Sequence, residues 1–226
     1  MRNFLLTICP VAIWCIVALE ILIAVFLFRL AKQSKQAIGL CAGILTVGLI
    51  LDAAIIGIGA ILPMDVLSFI SPVRFIAHGL LIPLIFPICA YALKCKKPIL
   101  IAVWIFTGLL MIGGVAQALA TVLEPRETAG VIRCAAGSAT PGWANIISSI
   151  LSFGTVIPMM ISGIIVWVKQ KSPHLFLSAF LMFVFSALGP MTGNSDLIFF
   201  ISMFGELLMV LFLYLCSRRL FAQKNG

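Results

Sequence analysis

The sequence predicts an all-α polytopic membrane protein, a bundle of seven transmembrane helices with the N-terminus outside the cell and the C-terminus in the cytoplasm. Of the 226 residues, 63% are hydrophobic and 10% are charged, whereas soluble domains usually carry about 25% charged residues. Long apolar runs divide the chain, and Lys and Arg are concentrated in alternate connections between these runs. We therefore expect a single transmembrane domain that covers residues 1–226.

Each apolar run is long enough to form a helix that crosses the hydrocarbon core, which takes about 20 residues. Helices are expected because lipid cannot satisfy open backbone groups, and the runs are too long for barrel strands. Hydropathy and helix-breaking residues give the approximate spans 4–29, 37–62, 69–93, 98–123, 146–168, 173–192 and 196–217. Pro83, Pro87 and Pro158 lie inside spans, where proline is expected to kink the helix.

The orientation follows from the charges of the short connections. The first, third and fifth connections and the C-terminal tail carry basic residues and no acid, namely Arg29, Lys32, Lys35, Lys94, Lys96, Lys97, Lys169, Lys171, Arg218, Arg219 and Lys224. The other side holds Asp65, Glu124, Glu127 and Asp196, with Arg2, Arg126 and Arg133. We expect the basic side to be cytoplasmic and the protein to lie in the plasma membrane (the inner membrane of a bacterium). This topology accounts for the net charge of +8, so nucleic acid is not an expected partner.

The longest connection, roughly 124–145, is rich in Gly, Pro and Thr. It is either a lid over an outward-facing cavity or a flexible link, and the sequence leaves both interpretations open. The seven cysteines include no CxxC pair and no Cys/His cluster with metal-ligand spacing. We expect no metal, no cofactor and no disulfide between Cys9 and Cys134, the two cysteines nearest the outer side.

Five ionisable side chains fall inside the apolar runs, namely Glu20, Asp52, Arg74, His78 and Glu206. Each costs several kcal/mol in the hydrocarbon core unless it finds a partner or a wet cavity. At a rise of about 1.5 Å per residue, four of them fall in the middle to outer part of their spans, while Glu20 lies slightly to the cytoplasmic side. We therefore expect Asp52, Arg74, His78 and Glu206 to form one polar cluster beneath an outward opening.

Hydroxyl groups extend this predicted polar interior. Ser148, Ser152, Thr155 and Ser162 share one face of the fifth span, and Ser202 shares a face of the seventh span with Glu206. The predicted ligand-binding residues are Asp52, Arg74, His78, Thr155, Ser202 and Glu206. The alternative interpretation is structural: buried ion networks can serve packing alone, and Ser and Thr often bond to their own helix backbone.

The segment 52–84 carries a recognisable skeleton of Asp52, Gly59, Pro72, Arg74, Phe75, His78, Pro83 and Leu84. It resembles a poorly characterised family of small bacterial and plant integral membrane proteins with an Asp-Asn…Gly…Arg-Phe…His…Pro pattern. Ala53 stands here in place of the usual Asn. The resemblance covers about 35 residues and implies no particular activity.

The same segment is similar to the third helix of microbial rhodopsins, which carries Arg, an aromatic residue and then Pro-Leu, as Arg74, Phe75, Pro83 and Leu84 do here. That resemblance implies a rhodopsin-like seven-helix scaffold. Rhodopsins place a counter-ion aspartate where this chain has Ala77, and the seventh span has no lysine for a retinal Schiff base. A covalent retinal pigment is therefore not expected, and the scaffold would serve a different use.

Three functions are compatible with these residues. The first is a non-enzymatic binder or sensor that holds a small anionic or lipid-like ligand in an outward-facing polar site, with Arg74 attracting the anion and His78 titrating near neutral pH. The second is a metal-independent intramembrane enzyme for a lipid or isoprenoid, whose catalytic residues would be Asp52, His78 and Glu206. The third is a proton-coupled transporter. The expected partners are the lipid bilayer and a small amphipathic ligand, and a homo-oligomer is compatible with the sequence.

The predicted orientation can be tested with a peptide tag at the C-terminus. Because the basic connections place that end in the cytoplasm, an antibody should reach the tag only after the cells are permeabilised. Labelling of intact cells to the same extent would contradict the predicted topology.

Overall fold

A computed structural model describes the backbone of residues 2–128, 130–193 and 195–225, and the side chains of 8–128, 130–188, 191–193, 198 and 200–223. The side chains of Arg2, Asp196 and Lys224, which entered the orientation prediction, lie outside this set. The helices are α1 (Arg2–Ser34), α2 (Ala37–Ile58), α3 (Met64–Leu81), α4 (Ile85–Ala92), α5 (Lys97–Ala120), α6 (Gly142–Gln170), α7 (His174–Met191) and α8 (Ser195–Asn225).

Within the described residues, six helical segments are long and apolar enough to cross a membrane. They are Ile8–Ser34, Ala37–Ile58, Met64–Ala92, Lys97–Ala120, Gly142–Gln170 and Phe200–Gln223. α7 contributes a shorter apolar helix, His174–Leu188. The chain is therefore a predominantly α-helical, multi-pass membrane protein.

A proline interrupts the third of these segments. Ile82–Leu84 form a 3₁₀ turn between α3 and α4, with Pro83 in its first turn. Proline has no backbone N–H and its ring clashes with the preceding helical turn, so the α-helix breaks here as the sequence predicted. By contrast, α4 and α6 continue through Pro87 and Pro158 without an interruption.

Several helices are longer than the predicted spans. α1 continues to Ser34 rather than ending at 29, α6 covers 142–170 rather than 146–168, and α8 continues to Asn225 rather than 217. Hydropathy marks the part of a helix that lies in lipid, while the hydrogen-bonded helix continues through Lys and Arg because both are good helix formers.

Consecutive helices pack side by side, and α8 also packs against α1, so the bundle closes around an interior. α2 contacts α1, α3, α4 and α8 and therefore lies near the centre of the bundle. The core includes the buried side chains of Leu45, Leu49, Ile88, Met209 and Leu213. Because most connections are short, neighbouring helices run antiparallel and their ends collect at two opposite ends of the bundle.

One of these ends is marked by three lysines with a left-handed backbone, Lys35 (φ 52°), Lys94 (φ 54°) and Lys171 (φ 54°). Lys35 and Lys171 directly follow α1 and α6, and Lys94 lies two residues after the end of α4. The amide of Lys35 donates to the carbonyl of Ala31 at 2.9 Å, and other helix ends close in the same way. Glycine usually occupies such a position, because it lacks a Cβ. We name this the basic end, and the opposite end the hairpin end.

The hairpin is formed by β1 (Leu123–Thr128) and β2 (Val131–Ala136), an antiparallel pair in which Thr128 faces Val131. The prediction of a predominantly helical chain is confirmed, but the fourth span, predicted as 98–123, ends as a helix at Ala120, and the connection that follows it contains two strands. β-branched residues favour strands, and Gly130 supplies the positive φ of 80° in the turn.

The hairpin lies against the end of α2. The amide of Ile132 donates to the carbonyl of Gly59 at 3.2 Å. A Cβ at Gly59 would collide with the carbonyl oxygen of Ile132, so a larger residue there would displace the hairpin.

A second close approach joins α3 and α5, where Gly79 and Gly114 face each other backbone to backbone. Gly114→Ala places a Cβ against the carbonyl of Gly79, and we expect a loss of at least the ~1–3 kcal/mol that is typical of overpacking. Gly113→Ala is the matched control, because nothing lies within 4 Å of its Cβ position. Thermal unfolding in detergent measures both variants. Equal midpoints for the two would contradict the close crossing of α3 and α5.

Candidate functional site

A buried ion pair joins α2 to α3. The Nε of Arg74 donates to Oδ1 of Asp52 at 2.7 Å, and the two side chains are only 10% and 8% exposed. The Nη1 of Arg74 donates to the backbone carbonyl of Cys134 in β2 at 3.1 Å. A single guanidinium therefore links two helices and the hairpin.

His78 lies one helical turn beyond Arg74. Its Nδ1 is 3.7 Å from Oδ1 of Asp52, which is close enough for a charge interaction but longer than a hydrogen bond. The His78 side chain is 38% exposed, so it faces open space as well as the carboxylate. Asp52 thus has two cationic or potentially cationic neighbours, both from α3.

These groups form part of the wall of a partly open cavity of about 450 Å³. Its size falls within the range of ordinary small-molecule sites. Every helix except α1 contributes to the wall, as does β2. The polar lining residues are Asp52, Arg74, His78, Gln117, Arg133, Ser148, Ser152, Thr155, Ser186, Ser202 and Glu206.

The cavity has a polar part and an apolar part. The apolar lining includes Leu49, Ile85, Met182 and Met209. On each of their segments, these residues lie closer to the basic end than the polar lining residues do: Leu49 precedes Asp52 on α2, and Met209 follows Glu206 on α8. The polar part therefore lies toward the hairpin end, where Phe75, Leu151, Phe153 and Met203 also line the cavity, and the lining nearest the basic end is apolar.

The structure brings all six predicted ligand-binding residues into this one wall: Asp52, Arg74, His78, Thr155, Ser202 and Glu206. Asp52, Arg74 and His78 make the direct contacts described above. Glu206 lies on α8, near enough to Asp52 and Arg74 for their charges to interact.

Two of the four hydroxyls in the α6 stripe are hydrogen-bonded to their own helix. Thr155 Oγ1 donates to the carbonyl of Leu151 at 2.7 Å, and Ser152 Oγ donates to the carbonyl of Ser148 at 3.0 Å. Ser162, which was predicted to share this face, does not belong to the cavity wall and instead hydrogen-bonds to Cys89. The structural interpretation thus accounts for the geometry of these hydroxyls, although three of them still face the cavity.

Three polar wall residues were missed from the sequence, namely Gln117, Arg133 and Ser186. Arg133 had been counted only as an outer charge, and the hairpin brings it over the cavity. Gln117 lies on α5, where its Nε2 donates to Thr121 Oγ1 at 2.8 Å. Gln117 could have been predicted, because a polar amide inside an apolar run suggests a polar environment. The position of Arg133 depends on the hairpin, which hydropathy does not reveal.

Arg133 adds positive charge to the polar part. Burial, together with the neighbouring charge of Arg74, lowers the pKa of its guanidinium to about 10, while Asp52 opposes the shift. A pKa near this value still leaves the group charged at neutral pH. Arg133 lines the cavity from the hairpin, so its positive charge is placed to meet an anion that enters there.

Two other predictions concern residues outside the wall. Cys134 is a buried free thiol, so it is not bridged to Cys9. His174, expected at the surface, is partly buried, and its Nδ1 lies 3.1 Å from Ser172 Oγ.

In comparisons with known proteins, no family model matches the chain and no curated protein is significantly similar to it.

Because of the ion pair, we expect Arg74→Gln to lower the stability of the protein strongly. Removing the guanidinium leaves the Asp52 carboxylate buried without its main partner, which typically costs roughly 3–5 kcal/mol. Thermal unfolding in detergent should show this loss. Arg126→Gln is the control, since Arg126 is exposed on the same hairpin. If Asp52→Asn combined with Arg74→Gln lost as much as the sum of the two single variants, the ion pair would not be the cause.

Proposed function

We propose that this protein is a membrane-embedded binder of a small amphipathic anion. The observation that carries the proposal is the division of the cavity into a cationic, polar part below the hairpin and an apolar part deeper in the bundle. A ligand with an anionic head and a short apolar tail matches both parts. Its head would meet Arg133 and the hydroxyls, and its tail would lie against side chains such as Leu49 and Met209.

The proposal includes the topology. α7, with 18 residues, would serve as a further crossing at about 27 Å of length, close to the ~30 Å hydrocarbon core. Seven crossings would then put the N-terminus outside and the C-terminus in the cytoplasm. Lys35, Lys94 and Lys171 at one end of the bundle support this orientation. The polar part of the cavity would face outward, and the plasma membrane would be the location.

The two family resemblances of the segment 52–84 are compatible with a ligand-binding membrane protein. The closed arrangement of helices is compatible with a rhodopsin-like scaffold, and the cavity wall contains no lysine among the described residues. We therefore propose a non-covalent ligand rather than retinal. The Asp…Gly…Arg-Phe…His…Pro pattern of the small membrane-protein family would then serve to build the ion pair and the cavity wall.

The enzyme hypothesis is less well supported. It requires Asp52 as an available acid or base, but Oδ1 of Asp52 accepts the 2.7 Å hydrogen bond from Arg74. Such a tightly paired carboxylate is a poor proton acceptor, because protonation would break the pair. We therefore assign Asp52 and Arg74 to the architecture of the site, and Arg133 to ligand recognition.

Binding of decanoate, a short amphipathic anion, tests the proposal. Native mass spectrometry of the protein in lipid nanodiscs should detect a one-to-one complex with decanoate, and weaker binding of the neutral analogue decanol. Arg133→Gln should weaken decanoate binding roughly tenfold or more, because a charge-assisted hydrogen bond contributes about 1.5–3 kcal/mol. The same variant should leave decanol binding unchanged.

Arg126→Gln is the matched control for this experiment. Arg126 lies directly opposite Arg133 in the hairpin, carries the same charge and does not line the cavity. The Arg126→Gln variant should therefore bind decanoate as the unmodified protein does. Equal weakening by both substitutions would mean that the anion is held by the general charge of the hairpin, and the proposed site would be wrong.

A further inference from the structure

Glu20 is a buried carboxyl group that the proposed ligand site does not use. It lies in α1, its exposed fraction is 0%, and neither carboxylate oxygen has a hydrogen-bond partner within the described part of the chain. It does not belong to the cavity wall. A buried polar group without a partner is rare in proteins, and here it sits inside a membrane-spanning helix.

The charged groups around Glu20 are acidic. α1 packs against α2 and α8, and these helices carry Asp52 and Glu206. Asp52 acts electrostatically on Glu20, and both Glu20 and Asp52 act on Glu206. Three carboxyl groups from three helices thus lie within electrostatic range of one another.

The neighbouring cations are already engaged with one of the three. Arg74 pairs with Asp52 at 2.7 Å, and His78 faces the same oxygen at 3.7 Å. Arg74 reaches Glu206 through a longer charge interaction. Ionised carboxylates that are buried without close counter-ions are strongly disfavoured, and like charges nearby disfavour them further. Proton uptake removes both costs at Glu20 and Glu206, but at Asp52 it would break the ion pair.

We propose that Glu20 and Glu206 form an intramembrane proton-binding pair that is loaded through the cavity. Glu206 lines the cavity, and Glu20 lies outside its wall on α1, which packs against both α8 and α2. A hydronium ion in the cavity transfers one proton to a carboxylate oxygen of Glu206 and becomes water. The Glu206 carboxylic acid then passes that proton to the Glu20 carboxylate and takes up another from the cavity. Each step moves one proton and no electrons.

This pair gives the protein a function that is distinct from ligand binding, although both use the same cavity. Protons enter from the polar part of the cavity, at the hairpin end, and are held deeper in the bundle by two groups that share them. Because the two sites interact, they titrate as a unit rather than as separate residues.

Infrared spectroscopy of the purified protein in nanodiscs, with no amphiphile added, tests the proposal. At neutral pH the unmodified protein should give the carbonyl stretch of protonated carboxylic acids, and this band should shift in D₂O. Glu20→Gln and Glu206→Gln should each remove part of the band. Absence of the band from the unmodified protein would overturn the proposal, and this result does not depend on the folding of any variant.

Two control variants separate the pair from the other acids. Asp65→Asn should leave the band unchanged, because Asp65 is exposed. Asp52→Asn should leave at least the Glu20 part of the band, because the guanidinium that it frees, Arg74, interacts with Glu206. If Asp65→Asn or Asp52→Asn removed the band while Glu20→Gln and Glu206→Gln preserved it, the assignment would be wrong.

The loading route has its own readout. Ser152 lines the cavity from α6 and its side chain is exposed there, so Ser152→Trp should narrow the cavity without filling a packed core. The hydrogen–deuterium exchange of the carboxylic acid band should then slow severalfold. An unchanged exchange rate would contradict entry through the cavity. Because no ligand is added, these results test the proton-binding pair and do not depend on the outcome of the decanoate experiment.

Discussion

The arrangement of the hairpin end depends on the pairing of one buried guanidinium with one buried carboxylate. In an apolar interior neither charge is tolerated alone, so Asp52 and Arg74 fix the position of α2 relative to α3. The second hydrogen bond of Arg74, to the carbonyl of Cys134, extends this constraint to β2. The hairpin, and with it Arg133, is therefore held over the cavity by the same side chain that joins the two helices.

The sequence was sufficient for the charged part of the site that lies in the spans. Asp52, Arg74, His78 and Glu206 are conspicuous because they interrupt long apolar runs, and the constant rise of a helix assigns each a depth. Groups that are costly in lipid and lie at similar depths must find one another, so their meeting in one cavity wall follows from simple energetics. The break at Pro83 was predictable for a similarly local reason, the missing N–H of proline.

The rest could not be predicted, because it depends on tertiary contacts. Nothing in the composition of 124–145 distinguishes a link from an ordered hairpin, and the antiparallel pairing of β1 and β2 is stabilised by contacts with Gly59 and Arg74. Arg133 therefore looked like an ordinary charge of an outer connection. Glu20 had been placed apart from the cluster by depth alone, but the packing of α1 against α2 and α8 brings it within electrostatic range of Asp52 and Glu206.

The lysines that follow α1, α4 and α6 connect folding with biosynthesis. A left-handed backbone costs a residue with a Cβ about 1–2 kcal/mol relative to the ordinary helical conformation, and glycine would avoid this cost at Lys35, Lys94 and Lys171. In the proposed topology, glycine would also remove three of the positive charges that keep these turns on the cytoplasmic side of the membrane. The same three positions would then serve two requirements that favour different residues, and the lost stability of the turns would be offset by correct insertion of each helical hairpin.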